Sequence, residues 1–168
     1  MSDWKPFRIE RGHHVSEPMS IGFRLGGYPY RESRKVMFGN NCQYVMDGPN
    51  QLDINKLWGY SQWNHMRNSF RLGWRWNEKK SVIEVIPFTT FNGSDTRFEA
   101  SVLFETKPEV SFESAIIINQ DRCHYEAGGN RITHFFDGRL SWPRFGYFLR
   151  PYFGGDTIAP HNMDIYLK

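Results

Sequence analysis

Apolar and polar positions alternate most clearly between Phe70 and Phe91. Phe70, Leu72, Trp74 and Trp76 fall on every second residue, with Ser69, Arg71, Gly73 and Arg75 between them. A period of two is the mark of a half-buried strand. Asn77-Glu78-Lys79-Lys80 is polar and predicts a four-residue turn, after which Ser81 to Ile86 resumes as a β-branched run. The stretch therefore reads as a β-hairpin. With Trp76 opposite Ser81, Trp74 faces Ile83 and Leu72 faces Val85, which gathers one apolar face. The other face then carries Arg75 opposite Val82, Gly73 opposite Glu84 and Arg71 opposite Ile86. A hairpin alone is marginal in water, so its apolar face demands a second layer.

Shorter versions of the same pattern recur. Strands are predicted over Met19–Leu25, Val36–Phe38, Cys42–Met46, Arg97–Glu105, Val110–Ile118, Cys123–Glu126, Ile132–Phe136, Phe145–Phe153 and Met163–Leu167. Asp47-Gly48-Pro49-Asn50, Asn92-Gly93-Ser94-Asp95, Gly128-Gly129-Asn130 and Asp137-Gly138 punctuate them as turns. Residues 1–8 read as a loose arm with Phe7–Glu10 beginning the first strand, Tyr28 to Lys35 as a connection, Asp53 to Leu57 as a helical turn, and Trp58 to Asn68 as a long ordered loop. Roughly ten to thirteen short strands at the spacing of a sandwich or barrel result. The expected fold is all-β, an antiparallel two-sheet β-sandwich of jelly-roll type formed by residues 1–168 as one domain. A closed β-barrel is the alternative.

Composition changes this picture little. The 168 residues suffice for a sizeable core, and aromatics, 17% of the chain, are spread along it. With 21 basic and 18 acidic residues the formal charge is only +3, which implies neither a nucleic-acid nor a membrane partner. No apolar run is long enough to predict a membrane span. MSDWKPFRIERG lacks the apolar core of a signal peptide, so the expected location is the cytoplasm or a particle. Cys42 and Cys123, two cysteines without metal-ligand spacing, are expected to be buried thiols.

Phosphate-loop, dinucleotide and zinc-protease motifs are missing, and no cofactor or metal is expected. Asp47, Asn50 and Asp53 are spaced like oxygen ligands, but a turn followed by a helix cap explains them more simply. His13 and His14 read as a surface turn. Glu84, Glu99, Glu113 and Asp164 lie on predicted strands and are expected to be solvated or paired with arginine. The sharper candidate is the polar face of the hairpin, where Arg71, Arg75 and Glu84 stand beside a loop offering Trp58, Tyr60, Trp63, Asn64 and His65. Aromatic platforms beside placed polar groups suit a glycan. For Trp58 or Trp63 taken singly, capping the open end of the core is the favoured reading. Arg150, Tyr152 and His161, around Gly154-Gly155, form a second polar-aromatic group, for which a structural turn is the simpler reading. Stacking of single-stranded nucleic acid on the same basic face is weakened by the near-neutral charge.

IERGHHVS, DINKLWGYS, NSFRLGWRW, WPRFGYFLRPYFGG and APHNMDIYLK resemble a group of small bacterial and phage-associated all-β proteins. That likeness spans Ile9 to the end and implies no particular activity. At the level of fold, the Gly-Gly loop, Pro and closing alternating strand resemble concanavalin A-like lectin and glucanase sandwiches. The retaining glucanases of that class carry E-x-D-x-E or E-x-D-x-x-E, and the alginate-lyase-like members a Q-I-H strand; this chain has neither. The expected function is therefore non-catalytic, lectin-like recognition of a glycan or a protein surface. A structural or virion-decorating oligomeric module and a polysaccharide hydrolase or lyase are the alternatives.

Overall fold

The computed structural model describes residues 3–18, 22–24, 27–62, 64–97, 101–140 and 146–168. Its strands are β1 (Lys5–Ile9), β2 (Ser16–Glu17), β3 (Phe23–Arg24), β4 (Tyr30–Phe38), β5 (Asn55–Gln62), β6 (Ser69–Asn77) and β7 (Val82–Phe91). There follow β8 (Ser94–Arg97), β9 (Phe104–Thr106), β10 (Phe112–Ile118), β11 (Arg122–Ala127), β12 (Asn130–Phe135), β13 (Gly146–Leu149) and β14 (Met163–Leu167). Two short 3-10 turns, Asn40–Cys42 and Gly48–Leu52, separate β4 from β5. One sheet runs β12-β11-β10-β4-β14-β1-β2; the other runs β3-β13-β5-β6-β7-β8, with β9 also on β7. All strand pairs are antiparallel, and the two sheets form a jelly-roll sandwich rather than a closed barrel.

The hairpin is β6–β7, two residues out of the predicted register. Trp76 pairs with Ile83, Trp74 with Val85 and Leu72 with Pro87. The loop is Glu78–Ser81, closed by a left-handed Ser81 (φ 53°) and by the Lys80 N–H donating to Asn77 Oδ1 at 3.1 Å. A slip of two residues preserves side-chain parity, so Phe70, Leu72, Trp74 and Trp76 still face inward. What changes is the polar face. Arg75 now stands directly opposite Glu84, and Gly73 stands opposite Ile86. The bare Gly73 leaves no gap, because Ile54 Cγ2 lies 2.3 Å from where a Cβ would be.

Other differences have similar local causes. Lys5–Ile9, placed in a loose arm as far as residue 8, is a strand held between β14 and β2, with Phe7 and Ile9 buried. The charged Arg31–Lys35 stretch joins Val36–Phe38 in one nine-residue strand, because Arg34 and Glu32 satisfy each other at 2.5 Å on its inner side. Cys42–Met46 is a turn and loop, not a strand, and Gly48–Leu52 rather than Asp53–Leu57 makes the helical turn. Asp47 and Asp53 flank that turn. Val110, the first residue of the predicted strand Val110–Ile118, is exposed in the turn before β10. Both cysteines are free and buried.

Between the sheets lies an aromatic core. Trp74 packs on Phe38 and Tyr44, and Phe153 on Tyr44 and Trp74. At the β7–β12 side the core turns polar: the Tyr125 hydroxyl meets Thr89 Oγ1, which also contacts His134 Nδ1 at 3.0 Å. Burying polar groups in this way is tolerable only when they satisfy each other.

Candidate functional site

The first part of the predicted loop Trp58–Asn68, Trp58 to Gln62, belongs to strand β5, and this decides the fate of its residues. A bulge at Leu57 shifts the pairing from Lys56↔Gly73 to Trp58↔Leu72. An extra residue flips side-chain parity, so no simple alternation runs through the stretch. Trp58 and Tyr60 consequently point inward. Trp58 is fully buried, stacks near Phe148, and donates from Nε1 to Ser114 Oγ at 3.1 Å. It is a core residue, not a ligand platform. Tyr60 is also buried and stacks on Tyr30 at 4.5 Å. The Tyr30–Tyr60 pair borders a cleft of about 250 Å³ at the sandwich edge, lined also by Gly22, Phe23, Glu32, Arg34 and Phe148. Trp63 lies outside the described residues.

The outer face of the second sheet gathers most of the others. Across β13, β5, β6 and β7 one outward row is Tyr147, Ser61, Ser69 and Thr90; the next is Leu149, Gly59, Arg71 and Phe88. Phe23 extends the first row at the edge, opposite Tyr147, and is 65% exposed. The turn at Asn64–Asn68 folds over the hydroxyl row, with Ser61 Oγ donating to Asn68 O at 3.0 Å. Asn64 shapes that turn, its Oδ1 accepting from the Met66 N–H at 2.9 Å. His65 is carried outward on it, its Nδ1 3.1 Å from the Tyr147 hydroxyl.

Arg71 crosses the face at its centre. Its side chain needs the glycine next to it: a Cβ on Gly59 would fall 2.7 Å from Arg71 Cγ and 2.3 Å from the Phe70 carbonyl. Its Nη2 donates to the Arg150 carbonyl at 2.9 Å. Its Nε is shut off from solvent and has no acceptor among the described residues. Burial pushes the guanidinium down to about 10, with Tyr147 and Tyr152 acting weakly in the other direction, so it stays charged at neutral pH. Tyr152 bridges Lys56 and Val15 backbone to backbone and stacks on His14, centroids 5.1 Å apart. His14 Nδ1 lies 2.9 Å from the Phe153 carbonyl, and Lys56 Nζ sits 4.5 Å over the Phe88 ring.

Arg75 and Glu84 form a separate, closed unit. Arg75 Nε donates to Glu84 Oε2 and Asn77 Nδ2 to Oε1, both at 2.7 Å. Burial alone would raise the Glu84 carboxyl; the Asn77 and Arg75 hydrogen bonds outweigh it and hold the group below its ordinary range. Glu105 is the cross-strand neighbour of Glu84, but is tied to Lys80 at 2.5 Å. A glycosidase acid needs a carboxyl raised in pKa beside a second carboxylate. Glu84 is shifted the opposite way.

Two predicted residues sit elsewhere. Arg150 contributes its carbonyl to Arg71, while its guanidinium turns to Glu17, 3.8 Å away. His161 is not on this face: its Nε2 contacts the Asn41 carbonyl at 2.9 Å, tying the 3-10 turn to the start of β14. Tyr147, Phe23, Lys56 and Phe88 join the site without having been singled out, and so does His14, expected only in a surface turn. Tyr147 was within reach, since it alternates with Phe148 on a predicted strand; His14 was not, because a contact with Tyr152 leaves no local signal.

The chain matches no protein-family model and no curated protein sequence. Solved structures share its fold at low identity. An endo-acting O-glycanase of mucin breakdown from the human gut microbiota is 12% identical, with a TM-score of 0.53 over 98% of this chain and 76% of that one. A native glycosidic hydrolase is 9% identical, TM-score 0.54, over 99% and 76%. An alginate lyase from Corynebacterium sp. is 11% identical, TM-score 0.50, over 96% and 73%. The sandwich is thus of a kind that sugar-active proteins use.

Proposed function

We propose that this protein recognises a glycan on the outer face of its second sheet, without cleaving it. One observation carries the reading: Phe23 and Tyr147 stand side by side on adjacent strands, with His65 on the Tyr147 hydroxyl and Arg71 in the next row. Aromatic rings give a sugar a flat apolar surface, and neighbouring donors fix its hydroxyls. The shared sandwich of sugar-active proteins supports the reading at the level of fold alone. Glu84, held ionised by Arg75 and Asn77, argues against two-carboxylate hydrolysis. The test is a glycan array probed with wild type and with Tyr147→Ala. Binding that the substitution abolishes supports the proposal, and absence of binding to every sugar sinks it.

A second reading, cleavage by β-elimination, is favoured by the Tyr147–His65 pair beside a buried cation. A paired hydroxyl and imidazole can move a proton, and a neighbouring cation stabilises the charge that develops. Incubation with uronate polysaccharides, followed by ultraviolet absorbance of the new double bond, decides it. No absorbance change leaves recognition as the function.

A further inference from the structure

We infer that the glycan is acidic and that Arg71 receives its carboxylate or sulfate group. The inference rests on the recognition reading above and adds the class of sugar. Two buried guanidinium nitrogens, Arg71 Nε on β6 and Arg150 Nη1 just after β13, have no hydrogen-bond acceptor among the described residues. Buried donors left unpaired cost free energy, so their persistence points to an acceptor supplied from outside. The groups bearing on Arg71 electrostatically are Tyr147 and Tyr152, and neither is a carboxylate. The carboxylate nearest Arg150 is Glu17, at 3.8 Å and on a side chain 69% exposed, too solvated to neutralise much. Elsewhere on this face the cation is neutralised, as Arg75 is by Glu84.

The fold has also cleared the path of Arg71. Position 59 takes glycine because any Cβ there would strike Arg71 Cγ and the Phe70 carbonyl. The guanidinium is anchored through a single Nη2 bond to the Arg150 carbonyl, leaving its other donors for the fork geometry that carboxylates and sulfates accept. Tyr147 and Phe23 then lie to one side, where the ring bearing the acid group would rest.

The experiment is an array of neutral, uronate-bearing, sialate-bearing and sulfated oligosaccharides, followed by calorimetry on the best binder and its neutral counterpart, such as the methyl ester of a uronate. The acidic form is expected to bind about ten- to a hundredfold more tightly, the range for hydrogen bonds to a charged group. Arg71→Met should erase that difference, and Arg71→Lys should restore part of it. The uronate and sulfate arms of the array separate the two sources of the anion. Best binders that are neutral overturn the inference and leave glycan recognition standing. Acidic binders held equally well by Arg71→Met overturn it as well. No binding to any sugar overturns the recognition reading, and the inference with it. Thermal melts of both variants show whether they fold; the wild-type array decides between neutral and acidic sugars even if they do not.

Discussion

At the scale of single residues, the Arg75–Glu84–Asn77 unit shows how a charge is kept on a sheet face. Glu84 is almost wholly buried, and two hydrogen bonds of 2.7 Å hold it ionised. Removing one partner of such a pair strands the other. Arg75→Met is therefore expected to lower the unfolding free energy by about 3 kcal/mol in urea titrations at neutral pH. The same pair sets a pH dependence. The Glu84 carboxyl lies lower in the folded chain than in the unfolded one, so its stabilisation is present above the ordinary carboxylate range, near ~4.3. It is lost as pH falls through the folded value. Acid titration of wild type against Glu84→Gln should show the wild-type advantage disappearing below about pH 4. Trp58 makes the opposite case. Buried, with its indole N–H on Ser114, it answers to the core and not to a ligand. Trp58→Phe should cost roughly 1–3 kcal/mol of stability. Glycan affinity, measured by calorimetry, should stay unchanged.

At the scale of elements, the bulge in β5 and its glycine decide which side chains face out. Gly59→Ala would push a methyl group into the Phe70 carbonyl and the stem of Arg71. It should destabilise the protein by about 1–3 kcal/mol. It should also weaken binding of an acidic sugar more than that of its neutral counterpart, since it displaces Arg71 first. The sandwich itself was legible wherever alternation ran unbroken: β6, β7, β10 and β14 carry their inward residues as read from the pattern. The two-residue slip of the hairpin was not, because a loop of four and a strand of fixed parity fit either register. β5 was hidden by its bulge, and the charged half of β4 by the Arg34–Glu32 pair that faces inward with it. For the site, Arg71 was legible as an outward residue between apolar neighbours. Its companions Tyr147 and His14 come from residues far along the chain, and only the sheet order brings them together.

At the scale of the whole molecule, the site belongs to one sheet and the chain ends belong to the other. β1 and β14 lie side by side in register from Lys5↔Leu167 to Ile9↔Met163. Lys168 Nζ reaches Asp3 Oδ2 at 2.9 Å, and the Lys168 backbone pairs with Lys35. Asp3 and Lys168 are thus spatial neighbours at the first sheet. A polypeptide so arranged is nearly a closed loop, and where it is cut matters less than which strands stay adjacent. A circular permutant that joins Lys168 to Met1 through a short glycine-serine linker, and opens at the exposed Lys79–Lys80 tip, should fold with an unchanged circular dichroism spectrum and keep its sugar affinity. Joining would tie β14 directly to β1, while the new ends would fall at the far tip of the hairpin on the other sheet. By the same geometry, another protein could carry this whole unit inside one of its surface loops, both junctions emerging together.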